Sequence, residues 1–259
     1  MRRLLIGVII GSLLFTVAWP GWAIEHEKYA TVLQRHVVGG YFDYKEFMGN
    51  DDSREKLHQY LSNMSTISPQ SLSDKEQLSY WMNLYNASTI RLIENNYPVD
   101  SIRDLDGWVT TAFQKEFIEV GKKTYTLDNV EHDIIRERFD EPRIHFALVC
   151  AAKSCPPLRH EPYVADKLDT QLRHQTNVFL SSDKNRFSIR ENTLYMKVSN
   201  ILNWYGEDFG GEKGVAKFIG KYRPGQVGKY VVNENYTIQY QDYNWSLNQA
   251  PGPYKQITP

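Results

Sequence analysis

The chain reads as one α+β domain with several helices and small antiparallel strands. Three observations predict this class. Runs with helical periodicity dominate the first part of the chain, and short alternating strands gather later. No repeat, low-complexity tract or linker divides the two. Once a leader is set aside about 236 residues remain, enough for one domain to bury a substantial core. The aromatic content, 13%, fits a packed globule rather than a disordered chain.

The elements follow in order. Residues 26–38 have helical spacing and end at Gly39-Gly40, and a second helix runs from about Ser53 to Leu61. Ser73-Asp74-Lys75-Glu76 is a capping box and opens a helix that reaches about Asn95. Leu78, Trp81, Met82, Tyr85, Thr89, Leu92 and Ile93 form its core-facing stripe, Asn86 lies within the stripe and Asn83 flanks it. A buried amide needs partners, so Asn86 is expected to bond to a loop or another side chain. Residues 116–126 read as a hairpin about Gly121-Lys122, and Leu127 to Phe139 as a helix capped by Thr126 or Asp128. Pro142 then leads into an expected strand carrying His145. A helix over Val164 to Leu180, a hairpin about Glu191-Asn192, short helices near Ser199–Tyr205 and Gly214–Tyr222, and a strand at Tyr236–Tyr240 complete the order.

The N-terminus sets the expected compartment. Arg2 and Arg3 precede an apolar run from Leu4 to about Trp19, and Gly21-Trp22-Ala23 supplies small residues at the two key positions of a cleavage site. The run is shorter than the roughly 20 residues that a spanning helix requires. Residues 1–23 are therefore expected to be a signal peptide, 24–250 the domain and 251–259 a C-terminal tail. The mature chain is expected to be a soluble periplasmic or secreted protein with no integral membrane segment. Mean hydropathy is −0.52. Net charge is −1, which gives no electrostatic footprint for nucleic acid.

The chain's two cysteines, Cys150 and Cys155, bracket one loop, and His145, Arg143 and Lys153 fall within the same thirteen residues. A thiol becomes nucleophilic where a cation, an imidazole or a helix N-terminus lowers its pKa. Here Lys153 and His145 are placed to do so, and Pro156-Pro157 would hold Cys155 in an extended loop. The competing reading is a Cys150–Cys155 disulfide, given the oxidising compartment. A metal site built on His145, Cys150, Cys155 and His132 or Glu131 fits no familiar zinc spacing. Glu131 and His132 are neighbours on a helix and would point about 100° apart, whereas Arg136 is placed to meet His132. Asn83 or Asn86 could orient an imidazole, or simply tie a loop to the helix. No cofactor is expected. The other histidines, His26, His36, His58, His160 and His174, read as surface residues.

Four segments together carry a resemblance: Trp81–Ala87, Tyr125–Arg136, Pro142–Leu148 and Ser154–Leu158. The segments Val198–Tyr205 and Tyr243–Asn248 add to it. They resemble the DUF547 family, a domain of unknown function. One departure is Ala151, where the family pattern often has glycine after the first cysteine. The resemblance implies no activity. Papain-like and transglutaminase-like thiol enzymes usually place cysteine before histidine, and here both His132 and His145 precede Cys155.

These readings lead to one expectation: a thiol-dependent hydrolase or acyl-transfer enzyme. Cys155 would be the nucleophile, His145 or His132 the base, and Asn86 or Glu131 the group that orients it. Cys150, Lys153, Arg143, Arg136 and Asn83 would be binding or supporting residues. The substrate would be an amide or thioester of peptide or cell-wall type. The alternatives are a non-catalytic binding module stapled by the disulfide and, more weakly, a metal-dependent site.

Overall fold

Ser73 opens the long helix at the centre of the fold. Its backbone N–H donates to Glu76 Oε2 at 2.9 Å, the reciprocal half of the expected capping box. The structure, a computed structural model, describes residues 24–252, so the expected leader at 1–23 and most of the tail lie outside the described residues. α1 (Glu27–His36), the short hairpin β1 (Val37–Val38) and β2 (Tyr41–Phe42), α2 (Tyr44–Met48) and α3 (Asp51–Thr66) precede that long helix, α4 (Asp74–Glu94). The hairpin of β3 (Ile118–Val120) and β4 (Lys123–Tyr125) follows, then a π-helical segment at Asn129–Arg136 and a 3₁₀ helix at Pro142–Phe146. The C-terminal part holds α5 (Leu168–Ser181), β5 (Arg186–Arg190), β6 (Thr193–Val198), α6 (Ile201–Trp204), a 3₁₀ turn at Gly206–Phe209, α7 (Gly211–Tyr222), α8 (Gln226–Val232) and β7 (Tyr236–Tyr240).

The protein is α+β, with helices throughout and small sheets. The β1–β2, β3–β4 and β5–β6 pairs are antiparallel. β7 joins β6 in parallel, with Met196 opposite Ile238. The intervening helices α6 to α8 supply the long crossover that a parallel pair needs.

α4 carries more than the expected stripe. Every residue from Gln77 to Ile90 is buried, so the helix is the hub of the first apolar cluster, with Leu33, Phe42, Leu57, Tyr60 and Ile144 around it. Its polar side chains therefore need partners inside the protein. Tyr80 donates to the Met64 carbonyl at 2.9 Å. Asn83 takes the backbone of Tyr163 on both sides, donating at 2.7 Å and accepting at 2.9 Å. A second cluster, including Phe146, Phe179, Met196, Val215 and Ile219, sits under the three-stranded sheet.

Three sequence expectations change here. Residues 143–148 are not a strand. Glu141 accepts from Arg143 N at 3.1 Å and Pro142 occupies the first turn, which starts a 3₁₀ helix. Ile144, His145 and Phe146 are all buried, with none of the alternation a half-buried strand requires. The helix after β4 is π-wound over Asn129–Arg136. Its start is fixed by Thr126 and Asn129, whose side chains accept from each other's backbone N–H at 2.9 and 3.0 Å. Finally, His36 is fully buried rather than superficial, paired with Glu46.

Candidate functional site

The loop from Cys150 to Cys155 is fastened at both ends before its sulfurs do anything. Asn86, on α4, donates to the Ala147 carbonyl at 3.0 Å and accepts from Val149 N at 2.9 Å. The C-terminal segment grips the other side: Lys153 N donates to Ser246 O at 2.8 Å, Ser154 N to Asn244 O at 3.2 Å, and Asn248 N to Ala151 O at 2.8 Å. Just past Cys155, Leu158 N donates to Gly40 O at 2.9 Å. Gly40 is required there: its φ is +83°, and a Cβ would lie 2.4 Å from Pro157 Cβ. Ala151 itself adopts φ +61°. That left-handed conformation is the physical reason a glycine suits the position after the first cysteine.

This geometry turns donors onto one sulfur. Cys155 Sγ accepts from Cys150 N at 3.1 Å, from Ala152 N at 3.3 Å and from the Tyr243 hydroxyl at 3.2 Å. The same hydroxyl lies 3.3 Å from Cys150 Sγ. Both cysteines are free thiols. Burial opposes a charge on Cys155, but the hydrogen bonds from the Cys150 thiol, Tyr243 and the two backbone N–H groups outweigh it and hold its pKa below the ordinary thiol value. Cys150 moves the other way, well above that value, because it donates to Cys155 and its thiol is desolvated. The pair is thus polarised, with Cys155 the more acidic thiol of the two.

Both sulfurs line a cavity of about 420 Å³ shared with Asp128, Glu131, His132, Arg136, His145, Tyr205 and an aromatic panel of Trp204, Tyr243 and Trp245. His145 Nε2 lies 2.6 Å from Asp208 Oδ2. A carboxylate only accepts, so the proton sits on Nε2. His145 Nδ1 is buried without a partner among the described residues. Arg136 grips Asp208 with two 2.7 Å bonds, from Nε and Nη2. That guanidinium, and then the His145 contact, hold the Asp208 carboxyl well below the usual carboxylate range. Tyr205 stacks on the His145 ring at 3.9 Å between centroids and donates to Glu131 at 2.6 Å. Burial, followed by the neighbouring Glu131 carboxylate, pushes the Tyr205 phenol far up, so it remains a donor.

The structure sorts the expected site residues. Cys155, Cys150, His145, His132, Glu131 and Arg136 come together around the cavity. His132 accepts from Arg136 Nη1 at 3.0 Å, the partnership that their spacing predicts. Glu131 and His132 nevertheless share the cavity, because π winding sets neighbouring side chains closer in angle than an α-helix does. The other expected roles fall elsewhere, and for Asn86 and Asn83 the loop-tying alternative is the one found. Asn86 holds the loop backbone and bonds to no imidazole, and Glu131 binds Tyr205, so the carboxylate that orients His145 is Asp208. Lys153 is exposed and faces another depression. Arg143 pairs with Glu141 and with Asp169 at 2.8 Å, away from the cavity. Asn83 is a structural tie to Tyr163. No hydrogen bond joins either thiol to a histidine among the described residues. Nor do three or more His, Cys, Asp or Glu side chains among them form a metal-holding group.

Sequence reasoning missed Asp208, and it gave Tyr205, Tyr243 and Trp204 no role. Asp208 lies in a glycine-rich stretch that reads as a turn. Gly214 lets that turn pack tightly, since a Cβ there would fall 1.8 Å from Phe209 O.

Comparison with known proteins gives one family. No curated protein and no solved structure matches the chain. The family described as "Protein of unknown function, DUF547" matches residues 69–180, from the start of α4's approach to the end of α5. That stretch holds both cysteines, Asn86, Glu131, His132, Arg136 and His145, while Asp208, Tyr205 and Tyr243 come from beyond it. Residues 69–180 are thus similar to the DUF547 family, in line with the resemblance that the sequence motifs carry.

Proposed function

We propose that this protein is a thiol-dependent hydrolase or acyl-transfer enzyme, acting outside the cytoplasm on an amide or thioester of peptide or cell-wall type. The observation that carries the reading is the surroundings of one sulfur. Cys155 receives two backbone N–H groups and a phenol in the wall of a cavity that also holds a histidine anchored by a carboxylate. Thiolate stabilisation by such donors is how a buried cysteine becomes a nucleophile.

The roles follow from the proton positions. Cys155 attacks the carbonyl carbon, a C–S bond forms, and protonated His145 Nδ1 gives its proton to the leaving amine or thiol as the scissile bond breaks. The bare Nδ1 then takes a proton from water, or from another acceptor, as that acceptor attacks the thioester and releases Cys155. Asp208 keeps its bond to Nε2–H throughout and stabilises the imidazolium, the part that a carboxylate plays in a nucleophile–histidine–acid triad. Arg136 and Tyr205 are positioning residues. One fixes Asp208 and the other stacks on the ring. Because histidine precedes cysteine along the chain, the arrangement is its own rather than a copy of the papain order.

The test is acylation. A p-nitrophenyl ester or an alkyl thioester, incubated with the mature protein, is expected to leave one acyl group on Cys155 by intact mass and peptide mapping. Cys155→Ser should take up none, and His145→Ala should slow turnover by about 10²-fold or more. A folded protein that forms no adduct at Cys155, or equal turnover by Cys155→Ser, overturns the proposal. No observation at the site favours the disulfide-stapled module, since both thiols are free.

A further inference from the structure

The charges around the cavity do not cancel. Arg136 is the cationic side chain in its lining besides the histidines, and Asp208 neutralises it through two 2.7 Å bonds. An arginine only donates, so His132 Nδ1, 3.0 Å from Arg136 Nη1, is an acceptor and that nitrogen carries no proton. Two carboxylates remain, Asp128 and Glu131. Glu131 is only 8% exposed and is held by a phenol, with no cationic partner among the described residues. Asp128 has neither a hydrogen bond nor an ion pair among the described residues, and burial pushes its carboxyl up from the ordinary value.

Two independent observations say that something is meant to meet this surplus. His145 Nδ1 is a buried nitrogen without a partner among the described residues, on a residue that lines the cavity and is only 3% exposed. A bare imidazole nitrogen accepts from an N–H donor. Across the cavity Trp204, Tyr243 and Trp245 form one panel, with ring centroids 4.6 to 5.9 Å apart. Aromatic faces attract cations. Arg103 already sits 5.4 Å over Trp245, where its ion pair with Asp106 tempers its charge.

We infer that the cavity selects a substrate group carrying positive charge, a protonated amine or a guanidinium, and discriminates against anionic substrates, with Asp128 as a specificity-determining residue. The inference rests on Cys155 being the reactive thiolate. A carboxylate-lined, aromatic-walled cleft concentrates cations and excludes anions before any chemistry takes place.

Charged thiol reagents of matched size test this without knowledge of the natural substrate. The mature protein is treated with the trimethylammonioethyl and the sulfonatoethyl methanethiosulfonates. Labelling rates at Cys155 are divided by those of a free cysteine peptide, and neutral iodoacetamide serves as the control for thiol reactivity. The cationic reagent is expected to be favoured by roughly tenfold at low salt. Asp128→Asn should cut that preference about threefold while leaving the iodoacetamide rate within about twofold. About 0.5 M NaCl should reduce the preference as screening shortens the range of the field. Equal corrected rates for the two reagents, or an anionic preference, overturn the charge inference while leaving the nucleophile reading intact. A Cys155 inert to all three reagents in the folded protein overturns both. An unchanged preference in folded Asp128→Asn removes Asp128 from the account.

Discussion

Replacing Tyr243 by Phe isolates the hydroxyl that donates to Cys155. The ring stays, and with it the packing against Trp204 and Trp245 at 4.7 and 4.6 Å between centroids. What is lost is one donor, 3.2 Å from Cys155 Sγ and 3.3 Å from Cys150 Sγ. A hydrogen bond to a charged group contributes about 1.5–3 kcal/mol, and a soft sulfur acceptor belongs at the lower end. At about 1.4 kcal/mol per pKa unit, the Cys155 midpoint should rise by about one unit. The direction is fixed: Cys155 is an acid whose folded pKa lies below its ordinary value, and removing a stabiliser of the thiolate moves it back up. Below both midpoints, iodoacetamide labelling should therefore slow by about tenfold at fixed pH, with less than about 1 kcal/mol lost in stability. The assay is labelling rate against pH, checked by the ultraviolet absorbance of the thiolate and by the thermal melt. A midpoint that moves by less than about 0.3 unit in a fully folded variant refutes the reasoning, because the two backbone N–H groups would then be sufficient.

Three further outcomes follow from the same geometry. Asp208→Asn should cost about 1–3 kcal/mol by urea unfolding near neutral pH, since it breaks a two-bond contact with Arg136 and the His145 anchor. Because the folded carboxyl is held low, its contribution is present above the unfolded carboxylate range and fades as pH falls. The gap between the variant and the natural protein should therefore hold from about pH 7 to 5 and narrow only below about pH 4. Gly40→Ala should cost about 2–4 kcal/mol, combining the left-handed backbone with the contact on Pro157, and should reduce Cys155 labelling through displacement of the loop. Ala151→Gly should be neutral to slightly stabilising, by up to about 1 kcal/mol in urea unfolding. Relief of the φ +61° strain is partly offset by the freedom glycine gains when unfolded.

The parts of this account that the sequence made legible are those governed by local rules. The capping box at Ser73 and Glu76 gave the start of α4, and strand Tyr236–Tyr240 falls where alternation places it. The cysteine loop stood out because reactive side chains are dense there, and three of them, His145, Cys150 and Cys155, line the cavity. What was not legible depends on distance along the chain. Asp208 reaches His145 from 63 residues away, and nothing in Gly206–Gly211 marks it as more than a turn. Tyr243 reaches Cys155 across 88 residues. Local reasoning also assigned partners by proximity in sequence, so Lys153 was given the thiol although its side chain faces solvent. The His145 segment misled for a different reason. An apolar run interrupted by charges has no period that separates a strand from a fully buried 3₁₀ turn.

Labelling the natural protein with iodoacetamide across pH, and locating the adduct by peptide mass with Cys155→Ser as the blank, shows whether the loop holds Cys155 as a reactive, acidified thiol. Alkylation at Cys155 is expected to persist below the unperturbed thiol midpoint of about 8.5, with Cys150 unmodified over the same range. Labelling that appears only after a reductant is added, at both cysteines together, or a Cys155 midpoint at or above about 8.5, would contradict it.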